Sequence, residues 1–286
     1  YINVARPGDL TVNSYPYHEY PMVSMMDQLR PYYQEAVKRA KKQNAKTKKR
    51  GVGIVWGGYH VGLLNDKSEV EIELNPDGGI THYNTWEQQG QGADIGTLTH
   101  TYEALRPLNI APDKIRLVQN DTAITPNSGP ASGSKSHYMV GRATIDAANQ
   151  LMMAMKKPDG SFRTYDEMLA EGIPTRYKGM FNTGHNTIPL DEDTGHGNAS
   201  PGANYLLILA EVEVDTETGK TKVLSIKAVS DIGIVGNLLA VEGQAYGGIA
   251  HSIGFALSED YSDLEKHSTM AGAGIPSCKD IPDDIE

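Results

Sequence analysis

The sequence has 286 residues and a formal net charge of -10 at pH 7. That sign argues against nucleic acid as the main partner, because such binding rests on Lys and Arg pairing with phosphates. Its one cysteine, Cys278, excludes an internal disulfide framework, and it excludes an iron–sulfur cluster held by this chain alone, which takes about four thiolates.

No apolar run reaches the roughly 18 residues of a membrane span, so no membrane is expected. Low cysteine usage leads to the expectation of a reducing, cytoplasmic setting. The opening at Tyr1 and the acidic, loop-like stretch 280–286 lead to the expectation of a piece of a longer polypeptide.

Residues 1–21 are polar and rich in Pro and Tyr, expected as an extended arm. Residues 22–29 predict a short helix. Pro31 predicts the first turn of a second one, where its missing N–H costs nothing. Tyr33, Ala36, Val37 and Ala40 then share one face. The basic run from Lys38 to Arg50 reads as a solvated helix end, with cations near the negative end of the dipole.

Residues 51–64 predict a glycine-punctuated strand. Residues 69–74 alternate Glu, Val, Glu, Ile, Glu, Leu, the pattern of a half-buried strand with an acidic outer face. Asn75-Pro76-Asp77-Gly78-Gly79 predicts a tight turn, and residues 80–84 predict the returning strand. A helix is expected from residue 93, with Ile95, Leu98, Tyr102 and Leu105 inward and Pro107 as its stop. Residues 115–119 predict a strand.

A second helix is expected over 134–156, with Ile145, Ala148, Met152 and Met155 buried and the methionines as core filler. Residues 157–202 read as a loop-rich insert with a short helix at 165–170. Residues 204–215 and 222–230 predict a hairpin around Thr216-Glu217-Thr218-Gly219-Lys220. The last helix, 238–257, carries Gly243, Gly247, Gly248 and Gly254, each about 1 kcal/mol worse than alanine. Another backbone or a ligand is therefore expected close to each of them.

Strand pairs alternating with single helices predict an α+β architecture with mixed sheets. The expected units are an arm with helices (1–50), a first α+β unit (51–202) and part of a second (203–286).

Two polar, glycine-rich loops run into predicted helices. The first is Trp86-Glu87-Gln88-Gln89-Gly90-Gln91-Gly92-Ala93-Asp94, and the second is Asn127-Ser128-Gly129-Pro130-Ala131-Ser132-Gly133-Ser134. Both are expected to bring bare N–H groups to the positive end of a helix, where an anion is stabilised. The first fails the dinucleotide spacing, since Ile95 stands where the third glycine belongs, and no Walker lysine follows.

The amides of Gln88, Gln89 and Gln91 suit a heterocycle with mixed donor and acceptor edges, such as a pterin. They suit a plain helix cap with its glutamines in water equally well. The second loop adds hydroxyls at Ser128, Ser132, Ser134 and Ser136, a density that favours an oxyanion cradle over capping by one serine. Two such loops suggest a large phosphate-bearing cofactor held from two sides in one shared cavity.

These residues carry a resemblance. The stretch from Trp86 through Gly96 resembles the cofactor loop of the molybdenum hydroxylases, and so does the stretch from Thr125 through Ser134. Gly243-Gln244-Ala245-Tyr246-Gly247-Gly248, followed by Ala256-Leu257-Ser258-Glu259-Asp260, is similar to the same family. From about Tyr20 onward the chain is similar to bacterial aldehyde oxidoreductases of the xanthine oxidase family.

The resemblance implies an α+β molybdopterin-binding domain within a catalytic large subunit. It implies a molybdopterin dinucleotide, of the cytosine type, whose dithiolene sulfurs rather than side chains hold molybdenum. No metal ligand is therefore assigned, and His185 and His196 are read as surface residues. By position, Gln89 falls near the metal end. Gln91, Gly92, Ala93, Asp94, Ile95, Gly96 and Thr97 would meet the dinucleotide. Ala131, Ser132, Gly133 and Ser134 would meet it from the other side, with Gly133 near the substrate.

The family's general base is a glutamate in a Gly-Glu segment, which this sequence lacks, so no catalytic residue is assigned. The implied parent oxidises an aldehyde or N-heterocycle with water-derived oxygen. Its partners are the remaining domains or subunits, which carry the iron–sulfur clusters, and a second copy in a homodimer. The alternative is a non-catalytic assembly module that retains the fold.

Overall fold

The computed structural model describes residues 4–6, 8–17, 20–43 and 46–286. Part of the expected N-terminal arm (1–3, 7, 18 and 19) lies outside the described residues.

The first helix, α1, runs unbroken over Met22–Lys42 with Pro31 inside it. Two helices were expected. Met22, Met25 and Leu29 pack on Leu207 and Leu209, and Ala36, beyond the proline, is buried too. Burial of the three large side chains contributes about 1.5–3 kcal/mol each, enough to offset the roughly 3 kcal/mol of an interior proline. Tyr33, expected inward, is exposed. The basic run is not simply a solvated end. Lys48 to Arg50 already belong to strand β1 (Lys48–Val61). Arg39 and Arg50 both pair with Glu211, whose side chain is 3% exposed.

β2 (Lys67–Leu74) and β3 (Ile80–Asn84) form the expected antiparallel pair, and β2 buries every second residue. β4 (Ile115–Gln119) runs parallel to β3. On the other edge of β2 lies β5 (Arg176–Asn182), a strand within the span expected to be loop. Its sequence hides it. Gly179 interrupts the run, because helix α3 (Ser136–Met155) crosses there so closely that a Cβ would collide with the Ala143 carbonyl. The sheet order is β4-β3-β2-β5, a mixed sheet as expected.

The main core fills the space between this sheet and α3, with Val70, Ile72, Val140, Ala147 and Leu151 fully buried. Met155 joins it as filler. Ile145 is 46% exposed instead, because the buried stripe runs through Val140, Ala143, Ala147 and Leu151. The short helix α4 (Tyr165–Ala170) forms where expected, closed by a capping box between Thr164 and Glu167.

The second sheet has the order β1-β6-β7-β8. β6 (Gly202–Asp215) and β7 (Thr221–Asp231) make the expected hairpin, and β8 (Asp284–Ile285) adds a parallel edge. β1 pairs antiparallel with β6 along its whole length, from Lys48 opposite Asp215 to Val61 opposite Gly202. That pairing crosses the boundary expected at residue 202. The chain is α+β, with helices packed on mixed sheets.

Helix α5 spans Leu238–Leu257, the bounds expected. Of its four glycines only Gly254 is closely approached, with Pro276 Cδ 2.6 Å from where a Cβ would sit. A Cβ at Gly243, Gly247 or Gly248 would meet nothing within 4 Å, so the close neighbours expected there are not found among the described residues.

Candidate functional site

The first loop leaves β3 and enters helix α2 (Ala93–Ala104). Apolar periodicity placed Ile95 and Tyr102 inside, yet both are exposed, and Ala93, Gly96, Thr97 and Thr101 are buried. The helix packs through a polar seam. The Thr101 hydroxyl donates to the Thr97 carbonyl at 2.7 Å. Its oxygen can then only accept from His82 Nδ1, also at 2.7 Å, which assigns that ring proton to Nδ1. Asn84 Nδ2 donates to Thr97 Oγ1 at 3.2 Å. Trp86 closes over Gly96, with Cη2 2.6 Å from where a Cβ would sit.

Below the loop the imidazoles are neutral. Burial, followed by the neighbouring His100, pushes His82 down to about 3. Burial, followed by His137, pushes His100 down to about 4.

The N–H groups of the first loop are not bare. Gln88 Oε1 accepts from Gly92 at 3.0 Å, Ala93 at 3.2 Å and Gly90 at 3.3 Å. Gln91 is also turned inward, donating to the Glu87 carbonyl at 2.7 Å and accepting from the Gln89 N–H at 2.6 Å. Gln88 therefore caps the start of α2, whereas Gln91 bonds only within the loop. Gln89 is left exposed.

The second loop behaves differently. Gly133 and the non-glycine Ser134 both take left-handed φ values, 61° and 51°. Among the described residues neither N–H finds a hydrogen-bond partner. Ser132 and Ser134 are exposed, whereas Ser128 is buried and structural, donating to the Glu69 carbonyl at 2.7 Å. Helix α3 begins two residues later than expected, at Ser136.

The two loops are fastened to each other. Ser128 N–H donates to Thr85 Oγ1 at 2.8 Å, and Thr85 N–H donates to Ser128 Oγ at 3.0 Å. Ala131 N–H donates to Glu87 Oε2 at 2.8 Å. The approach to α5 lies alongside, with Ala240 Cβ 3.5 Å from a Cβ at Gly92 and His137 3.0 Å from one at Gly236. Three segments far apart in sequence thus meet at one place.

A family model for the molybdopterin cofactor-binding domain matches residues 28–282. The chain belongs to this family. The aldehyde oxidoreductase of Megalodesulfovibrio gigas is 44% identical to this molybdopterin-binding domain, over 100% of this chain and 32% of the relative. A xanthine dehydrogenase of Oryza sativa subsp. japonica is 26% identical over 84% of this chain and 19% of its own length. The crystal structure of the aldehyde oxidoreductase from Desulfovibrio desulfuricans superposes with a TM-score of 0.96 at 49% identity, covering 100% of this chain and 31% of that one. The chain spans about a third or less of the length of these relatives.

Sequence reasoning about the molybdopterin-binding domain missed Glu87 and Thr85. The available signal was an anomaly, an acidic side chain at the edge of a loop read as an anion site. Its carboxylate faces the backbone of the other loop. The side chains of Ala93 and Thr97, named as candidates, are buried, and Gly96, which has none, lies beneath Trp86. His185 and His196 are exposed.

Proposed function

We propose that this chain is the molybdopterin-binding part of the catalytic large subunit of a molybdenum-dependent hydroxylase. Its parent oxidises an aldehyde or an N-heterocycle with oxygen drawn from water. The left-handed turn at Gly133 and Ser134 carries the reading, since its two adjacent N–H groups have no partner among the described residues. Successive main-chain donors in such a turn form an anion-binding concavity. The exposed hydroxyls of Ser132 and Ser134 extend it, and the bond from Ala131 to Glu87 brings it against the amide-rich loop.

In this reading Gln89 offers a donor and an acceptor at the metal end. Gly92, Asp94 and Ile95 form the rim toward the dinucleotide. Gln91 acts by shaping the loop, and Ala93, Gly96 and Thr97 set the helix start beneath it. The bound cofactor supplies the redox centre that takes up two electrons from the substrate. The residues of this chain bind and orient it, and a glutamate outside this sequence serves as general base. The dinucleotide is the cytosine form, the iron–sulfur clusters lie in other domains or subunits, and the parent is a cytoplasmic homodimer. Similarity to the aldehyde oxidoreductase of M. gigas along the whole chain supports this assignment.

Purified parent protein is expected to contain molybdenum and to release a cytosine dinucleotide on denaturation. Gly133→Val places a β-branched residue at positive φ and is expected to lower molybdenum per protein about tenfold. Full cofactor content in both Gly133→Val and Gln91→Ala would remove the binding role. A folded parent without molybdenum would overturn the function and favour an assembly module.

A further inference from the structure

Lys135 directly follows the left-handed turn, and its side chain is only 4% exposed. A lysine this deeply buried needs a partner. Its Nζ donates to Asp66 Oδ1 at 2.7 Å, across 69 residues of sequence. On the way the side chain passes beneath the serine loop, since a Cβ at Gly129 would lie 3.5 Å from Nζ.

Asp66 sits in the connection between β1 and β2, and that connection is itself anchored. Asp66 N–H donates to Thr183 Oγ1 at 2.8 Å. Thr183 N–H returns a bond to the Asp66 carbonyl at 2.9 Å. The Thr183 hydroxyl donates to the Leu63 carbonyl at 2.7 Å. From the same connection, Gly62 N–H donates to the Gly133 carbonyl at 2.9 Å. The turn is therefore fastened to one rigid connection at two points, one a main-chain bond and one ionic.

A buried ion pair is a poor source of net stability, because well-packed apolar side chains of similar volume often serve as well. In some proteins such a pair instead fixes one geometry. The turn needs that constraint, because Ser134 holds a left-handed conformation disfavoured for any residue with a Cβ. We propose that Lys135, paired with Asp66, is a positioning residue for the cofactor site, holding Gly133 and Ser134 in the turn that presents their N–H groups. The inference rests on the function proposed above and names a residue outside the candidate cofactor contacts.

The test uses the full-length parent enzyme and the double variant Lys135→Met/Asp66→Leu, which replaces the pair by apolar side chains. Its melting temperature as apoprotein is expected to stay near the native one. Its molybdenum and pterin per protein are expected to fall about tenfold. The residual molybdenum(V) paramagnetic resonance signal is expected to shift.

A folded double variant with native cofactor content and a native signal overturns the inference while leaving the function intact. A wild-type parent without molybdopterin overturns both. Should the double variant not fold, Lys135→Gln/Asp66→Asn is measured in its place. It removes both charges and leaves no carboxylate buried without a cation, and cofactor loss or native loading is read in the same way.

Discussion

Glu87 Oε2 accepts the main-chain N–H of Ala131 at 2.8 Å, so a side chain of one loop sets the position of the other loop's backbone. A hydrogen bond to a carboxylate is worth roughly twice a neutral one, about 1.5–3 kcal/mol. Glu87→Ala is therefore expected to destabilise the chain by about that amount, and Glu87→Gln, which keeps an acceptor, by about half as much. Denaturant titration of the two variants measures the difference, and equal losses would remove the role assigned to the charged oxygen.

The buried His82 makes stability depend on pH. Its pKa in the fold lies near 3, well below the unfolded value of 6.5. Between those values the unfolded chain holds the extra proton. The contribution of a neutral His82 is therefore complete above about pH 6.5 and is lost as pH falls toward about 3. At pH 5.5 the loss from this residue is about 1.4 kcal/mol. Unfolding free energies at pH 7.5, 5.5 and 4.5 are expected to fall in that order, and His82→Gln is expected to flatten the slope by one proton. A slope identical in the variant would contradict the assignment.

Two glycines on helix-bearing surfaces are expected to respond in opposite ways. Gly179→Ala pushes a methyl group into the α3 backbone at Ala143 and Ala147, and overpacking of this kind costs about 1–3 kcal/mol or more. Gly243→Ala adds a methyl group that meets nothing within 4 Å and should stabilise α5 by up to about 1 kcal/mol. Thermal melts of the two variants of this chain give the comparison. Destabilisation by Gly243→Ala would mean that this face of α5 is covered.

Much of the site was legible because its motifs are local. The second loop announced its donors by glycine and serine density, and two of them, at Gly133 and Ser134, are without partners among the described residues. The first loop looked equally bare, but a single side chain, Gln88, folds back over its donors. Nothing in the order of residues distinguishes a glutamine that caps from one that reaches outward. The inward face of α2 was misassigned for a related reason. Its threonines are buried because His82, Asn84 and Gln119 arrive from two neighbouring strands to satisfy them.

By itself the sequence determined whatever depends on neighbours a few residues apart. The alternation of β2, the turn at Asn75 to Gly79, the β6–β7 hairpin and the bounds of α5 all follow from local dihedral preference and periodicity. Only the tertiary structure decided that β1 pairs with β6, that Arg176–Asn182 is a strand, that Glu87 meets Ala131 and that Lys135 reaches Asp66. Those pairings close long loops, and their partners are chosen by packing and by the need to satisfy buried polar groups, neither of which leaves a periodic trace along the chain.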